Sequence, residues 1–152
     1  RAISSLERVM LVESVSALYE TEPMYVEDQP PFLNGVVVGA TEIGPIAFVT
    51  ALKVIERQIG RQNRVANGPR EIDLDLIAFG SLVLTSNGTV PIAVPHPKLS
   101  ERRFVLEPLF EVSPKAILPR FGLVETLLHA PEVQKQSSRR VNNAGVPVSR
   151  SR

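Results

Sequence analysis

The stretch Ile72-Asp73-Leu74-Asp75-Leu76-Ile77-Ala78-Phe79-Gly80 alternates apolar and acidic residues over five positions, then stays apolar up to a glycine. A period of two belongs to a β-strand, in which residues two apart share a face. Residues 72–79 are therefore predicted as a strand ended by Gly80. Ile72, Leu74 and Leu76 anchor it in the core, and Asp73 and Asp75 project together from the other face. Ile77 and Phe79 continue the acidic face as apolar residues, so that face is expected to be covered. Two carboxylates about 6.5–7 Å apart at Cα suit one or two Mg2+ ions, which prefer oxygen ligands and bridge substrate phosphates. Asp is depleted in strands, and a pair on one half-covered face calls for a cation more than for solvent.

Working upstream, Phe48, Leu52, Ile55 and Ile59 fall at steps of four, three and four, a helix opened by Gly44-Pro45 and closed by Gly60. The β-branched run from Phe32 to Glu42 predicts a strand, as does the alternation of Val15, Ala17 and Tyr19, ending near Thr21. Ile3, Leu6, Val9 and Met10 give residues 2–11 a helical spacing. Downstream, Val83-Leu84 and Val90-Pro91-Ile92 suit a small hairpin, and residues 123–129 a last short helix with His129 at its C-terminal end. Helix, strand, strand, helix, strand is the order of an α+β protein with helices on one face of an antiparallel sheet. From Gln134 the apolar pattern stops, and a polar stretch with Arg139, Arg140, Arg150 and Arg152 follows. Such composition buries too little to offset its ordering entropy, so the expected division is a domain over 1–133 and a disordered tail or interdomain linker over 134–152.

Composition narrows the function. The 152 residues hold no cysteine, which excludes disulfides, thiol nucleophiles and Cys-bound metals. His96 and His129 are the two histidines, too few for a His-rich metal cage. Lys and Arg number 17 against 16 for Asp and Glu, a net charge of +1 that argues against a surface built for nucleic acid or anionic membrane. The short, broken apolar runs exclude a membrane-spanning helix. An RNA-binding sheet would need exposed aromatic pairs and a basic face.

Arginines crowd the Asp pair in sequence. Arg61 follows Gly60, Arg64 lies in the next loop, Arg70 stands three residues before Asp73, and Arg102 and Arg103 follow His96. Guanidinium groups match phosphate oxygens bidentately, and a Mg2+-polyphosphate needs cations opposite its metal. The alternative for each is a surface arginine in a weak ion pair with Glu56, Glu71 or Glu101. No Walker loop is present, since Asn67-Gly68-Pro69-Arg70 lacks Gly-Lys-Ser/Thr. His96 sits in Val94-Pro95-His96-Pro97, where flanking prolines fix the imidazole for a positioned donor, or leave it to cap a turn.

Four motifs in order, Tyr19-Glu20-Thr21-Glu22-Pro23, Asp28-Gln29-Pro30-Pro31-Phe32-Leu33-Asn34, Gly68-Pro69-Arg70-Glu71-Ile72-Asp73-Leu74-Asp75 and Pro95-His96-Pro97-Lys98-Leu99-Ser100-Glu101-Arg102-Arg103-Phe104, resemble those of 6-hydroxymethyl-7,8-dihydropterin pyrophosphokinases of folate biosynthesis. The resemblance covers Ala2 to about His129, and Gly-Pro-Arg-x-x-Asp-x-Asp is its most specific element. It implies a ferredoxin-like α+β sheet and transfer of the terminal diphosphate of ATP to the pterin hydroxymethyl group, releasing AMP. Asp73 and Asp75 would then hold two Mg2+ ions. Arg61, Arg70, His96 and Arg102 would bind the triphosphate, with Arg61 and Arg70 also acting in catalysis, and Glu56 would contact the nucleotide. Thr21, Met24, Phe32, Asn34 and Phe104 would form the pterin pocket, Asn67 standing where many members carry an aromatic. Fusion to dihydropteroate synthase is common in eukaryotic relatives. The implied address is the cytoplasm, with the mitochondrion open for a eukaryotic source.

The resemblance also implies a first strand with a Gly-Ser-Asn loop, to which nothing in this sequence corresponds. The chain begins at Arg1 with its first Met at Met10, so the expectation is a fragment or processed chain, weakly folded or inactive as written. The alternative reading is a noncatalytic ferredoxin-like binding or regulatory module of the same descent.

Overall fold

The computed structural model describes residues 2–21, 32–62 and 72–141, residues 61 and 62 by their backbone only. In chain order the elements are α1 (Ala2–Leu6), β1 (Leu11–Val15), β2 (Tyr19–Thr21), β3 (Phe32–Asn34), β4 (Val37–Ala40), α2 (Pro45–Gln62), β5 (Leu84–Ser86), β6 (Ile92–Val94), a 3-10 turn (Leu99–Glu101), α3 (Arg103–Val112), β7 (Ile117–Leu118), β8 (Gly122–Leu123), α4 (Val124–Leu128), α5 (Pro131–Gln134) and β9 (Arg139–Arg140). The α+β class holds, and the strands among the described residues fall into four small sheets: β1-β4, β3-β2-β9, β5-β6 and β7-β8. The chain divides into two compact units, Arg1–Val12 with Gly39–His96 and Glu13–Val38 with Pro97–Arg152.

The first unit is organised by α2. Phe48, Leu52, Ile55 and Ile59 are buried at the spacing read from the sequence. Gly60 does not close the helix, which runs on to Gln62; a Cβ there would meet nothing, so the position tolerates the helix at a cost of about 1 kcal/mol. Val49, Ile92 and Val94 form a buried cluster against which Leu76, Phe79, Leu84 and Val90 pack, and Phe79 meets Phe48 edge to face at 6.3 Å. The expected hairpin is present, with Leu84 opposite Val94 and Ser86 opposite Ile92. Helix α1 is shorter than predicted: its last bond runs from the Met10 N–H to the Leu6 carbonyl, and Leu11 opens β1. Gly39 lies so close to Leu11 that a Cβ would sit 2.1 Å from the Leu11 carbonyl oxygen, so only glycine fits.

Residues 72–79 belong to no ladder among the described residues, which corrects the predicted strand. A strand needs a partner's row of donors and acceptors. Here the backbone is held at points: the Leu74 N–H donates to a Glu56 carboxylate oxygen at 3.0 Å, and the Ile77 carbonyl accepts from the His96 N–H at 2.7 Å. Gly80 ends the segment at a positive φ of 57°, as its position suggested.

The second unit packs α3, α4 and the 3-10 turn around Leu99, Leu106 and Val124, each fully buried. Two stretches read as single strands are broken. Between β1 and β2 the buried Ser16 turns its side chain to the backbone, with Oγ donating to the Ala17 carbonyl and accepting from the Val36 N–H at 2.8 Å. That same bond interrupts the run from Phe32 to Glu42 between β3 and β4. Residues from Gln134, read as the start of a tail, are engaged as far as Val141. The Gln136 side chain accepts from the Arg103 N–H at 2.9 Å, so it caps the start of α3, and donates to the Glu101 carbonyl. Strand β9 pairs antiparallel with β2. Residues 142–152 lie outside the described residues.

Leu106→Ala should lower the unfolding free energy in urea by about 2–5 kcal/mol, because it empties a fully enclosed volume. Ile117→Ala, at a position 74% exposed, should stay within about 0.5 kcal/mol of the parent.

Candidate active site

The acidic pair lies in the first unit. Asp73 and Asp75 are both exposed, whereas Ile72, Leu74 and Leu76 are half-buried, so the alternation read from the sequence survives without a ladder. It ends at Leu76. Phe79, expected to cover the acidic face, packs with Leu76 on the Val49–Ile92–Val94 cluster instead. Glu56, three helical turns into α2, is 9% exposed at its side chain; one oxygen takes the Leu74 N–H and the other meets Lys53 Nζ at 3.1 Å. The peptide between the two aspartates is thus pinned by a charge-assisted hydrogen bond, a stronger tether than a neutral one. His96 is half-buried, after a cis Val94–Pro95 bond, and its N–H ties its segment to Ile77. This unit therefore brings together Glu56, Asp73, Asp75 and His96 through backbone bonds to one segment.

No group of three or more His, Cys, Asp or Glu side chains gathers as a metal cage among the described residues. The donor set nonetheless fits Mg2+, which is held by one or two carboxylates and takes its remaining oxygens from water and substrate phosphate.

In the second unit β2 and β3 place Thr21 opposite Phe32 and Tyr19 opposite Asn34. The Asn34 Nδ2 group donates to Thr21 Oγ1 at 3.2 Å, a diagonal contact across the pair, and Phe32 is 52% exposed. Helix α3 packs on both strands. At its start the Arg102 guanidinium lies over the Phe104 ring, 5.4 Å from the centroid, a cation–π contact between two residues expected at different substrates. Arg103 is committed elsewhere: its Nη1 donates to the Gln134 and Gln136 carbonyls, and its Nη2 to Glu107 at 3.2 Å. His129 caps α4, its Nδ1 within 2.8 Å of the Glu125 carbonyl. Met24, Arg70 and the side chain of Arg61 lie outside the described residues.

Glu111 was missed by the sequence reading. Its carboxylate accepts from the Tyr19 hydroxyl at 2.6 Å and from the Ala17 N–H at 3.0 Å, with Arg140 Nη2 at 3.6 Å. Tyr19 is 6% exposed, and a buried phenol needs an acceptor, which Glu111 supplies. Burial, then the hydrogen bond and negative charge of Glu111, push the Tyr19 phenol well above its ordinary value.

A sequence profile of the 7,8-dihydro-6-hydroxymethylpterin-pyrophosphokinase family (HPPK) matches residues 1–114. The chain is similar to the folic acid synthesis protein fol1 of Schizosaccharomyces pombe, 43% identical over 120 residues that make up 78% of this chain and 16% of that protein. It is likewise similar to the mitochondrial folate synthesis bifunctional protein of Arabidopsis thaliana, 43% identical over 102 residues, 67% of this chain and 18% of the relative. The chain thus spans under a fifth of these longer proteins. Against the 2-amino-4-hydroxy-6-hydroxymethyldihydropteridine pyrophosphokinase of Aquifex aeolicus it is 36% identical over 119 residues, 78% of this chain and 72% of that enzyme.

The raised Tyr19 value favours the neutral phenol in the folded state. Its contribution to stability is complete below the ordinary tyrosine value of about 10 and is lost as pH climbs through the folded value. Urea unfolding of the parent should therefore weaken above about pH 10, and Tyr19→Phe should lose about 1 kcal/mol at neutral pH while flattening that decline.

Proposed function

The chain belongs to the 7,8-dihydro-6-hydroxymethylpterin-pyrophosphokinase family, and from that membership we propose that it transfers the terminal diphosphate of ATP to 6-hydroxymethyl-7,8-dihydropterin, releasing AMP, in folate biosynthesis. The observation that carries this reading is the exposed pair Asp73 and Asp75 on either side of a peptide that Glu56 holds. The hydroxymethyl oxygen attacks the β-phosphorus; the new O–P bond forms as the bond to the α-phosphate oxygen breaks, and AMP leaves. The hydroxyl proton passes to solvent. Little covalent work falls to the protein, so positioning and charge decide the rate.

In this reading Asp73 and Asp75 hold Mg2+, two ions as the family resemblance has it. Bound there, the metal neutralises phosphate charge and fixes the diphosphate for in-line displacement. Glu56, expected at the nucleotide, serves first by keeping Leu74 and its flanking aspartates in place. His96, Arg61, Arg70 and Arg102 take the triphosphate oxygens, and Arg61 and Arg70 spread the charge that moves onto the leaving group. Thr21 sets the Asn34 amide for the polar edge of the pterin, and Phe32 and Phe104 offer ring faces; Met24 completes that pocket. No described helix is long and apolar enough to cross a membrane. The expected address is the cytoplasm, beside the mitochondrial one that the Arabidopsis relative carries in its name. Fusion to a second enzyme is expected from the bifunctional Arabidopsis relative, and the family resemblance puts dihydropteroate synthase in that place.

Asp73→Ala and Asp75→Ala should each cut AMP formation from Mg-ATP and pterin by about a hundredfold or more, with circular dichroism unchanged. EDTA should abolish turnover and added Mg2+ should restore it. A noncatalytic module would bind Mg-ATP equally well with Asp73→Ala; that indifference, with no AMP from the parent, would sink the enzyme reading.

A further inference from the structure

Strand β2 is three residues long, yet it carries Thr21 and faces Asn34 across its ladder with β3. Two short strands are marginal by themselves, and a third is what gives such a pair independent stability. The third strand is β9, at the far end of the described chain. Arg140 lies opposite Tyr19 and Arg139 opposite Glu20. The Arg139 guanidinium meets the Glu20 carboxylate, Arg140 reaches Glu111, and the Val141 N–H donates to the Leu18 carbonyl at 2.8 Å. Glu111 in turn holds the Tyr19 hydroxyl and the Ala17 N–H. Every residue from Ala17 to Glu20 therefore has a polar bond or ladder register fixed by α3 or by the segment from Arg139 to Val141.

We propose that Arg139, Arg140 and Val141 form a clasp that positions the Thr21–Asn34 pair and so sets affinity for the pterin. The clasp rests on the reading of that pair as pterin-binding. These are positioning residues, since their bonds are made to β2 and to Glu111. Exposed ion pairs such as Arg139–Glu20 contribute little, so the backbone pairing carries most of the effect. The clean lesion is Val141→Pro, which deletes the donor to Leu18 while leaving Arg140 in the extended region it already occupies. Val141→Ala keeps the donor and is the control.

Amide exchange of the ligand-free 152-residue chain reads the clasp without turnover. Val141→Pro should speed exchange at Thr21 and Asn34 about tenfold or more, while Leu106 and Val124 hold and Val141→Ala matches the parent. In AMP-release kinetics the same variant should raise KM for the pterin about tenfold and leave KM for ATP within about twofold. Three results overturn the clasp: parent-like exchange at Thr21 and Asn34, equal acceleration at Leu106 and Val124, or an unchanged pterin KM in an active variant. A parent chain that forms no AMP overturns the enzymatic reading alone, and the exchange comparison then decides the clasp by itself.

Discussion

One hydrogen bond governs the acidic segment: the Glu56 carboxylate takes the Leu74 N–H at 3.0 Å. Residues 72–79 have no ladder among the described residues, so their placement rests on a few discrete tethers and on Leu76 and Phe79 in the core. The segment needs its Leu74 donor satisfied, and a helix carboxylate does that. Lys53 pairs with the other oxygen of the same carboxylate at 3.1 Å, so Glu56 is itself held in place. The second unit repeats the device. Glu111 of α3 satisfies the Ala17 N–H and takes the Tyr19 hydroxyl next to it. In both units a glutamate on a helix fixes the backbone beside the residues proposed to meet substrate.

What the sequence made legible was whatever repeats with a period. The α2 face at Phe48, Leu52, Ile55 and Ile59, the Asp73–Asp75 alternation and the β5–β6 hairpin all follow from burial acting on every second or every third and fourth residue. Helix α3 escaped because Pro108 interrupts its propensity and its start lies inside a motif dense with charge, Glu101-Arg102-Arg103. The breaks at Ser16 and Gly35 escaped because one buried hydroxyl replaces ladder bonds without disturbing the apolar pattern. The residues after Gln134 look like tail because their bonds use side-chain amides, guanidinium groups and backbone, none of which leaves a hydrophobic signature.

The same limit explains the site. Asp73, Asp75, Thr21, Phe32, Asn34, Arg102 and Phe104 stand out by chemistry or by family resemblance, and each unit gathers its own share of them. Their supports do not stand out. Gln136 caps a helix thirty-three residues away in sequence, and Glu111 reaches back ninety-four residues to Ala17. Such pairings depend on tertiary placement, which single-sequence periodicity does not encode.

The Tyr19–Glu111 contact also gives the second unit its own optical reporter. The chain has no tryptophan and only two tyrosines, so tyrosine emission is not drained into an indole. A phenol that donates to a carboxylate emits differently from one released to water. The β2 sheet thus carries a built-in lamp whose brightness records whether Glu111 is still in place.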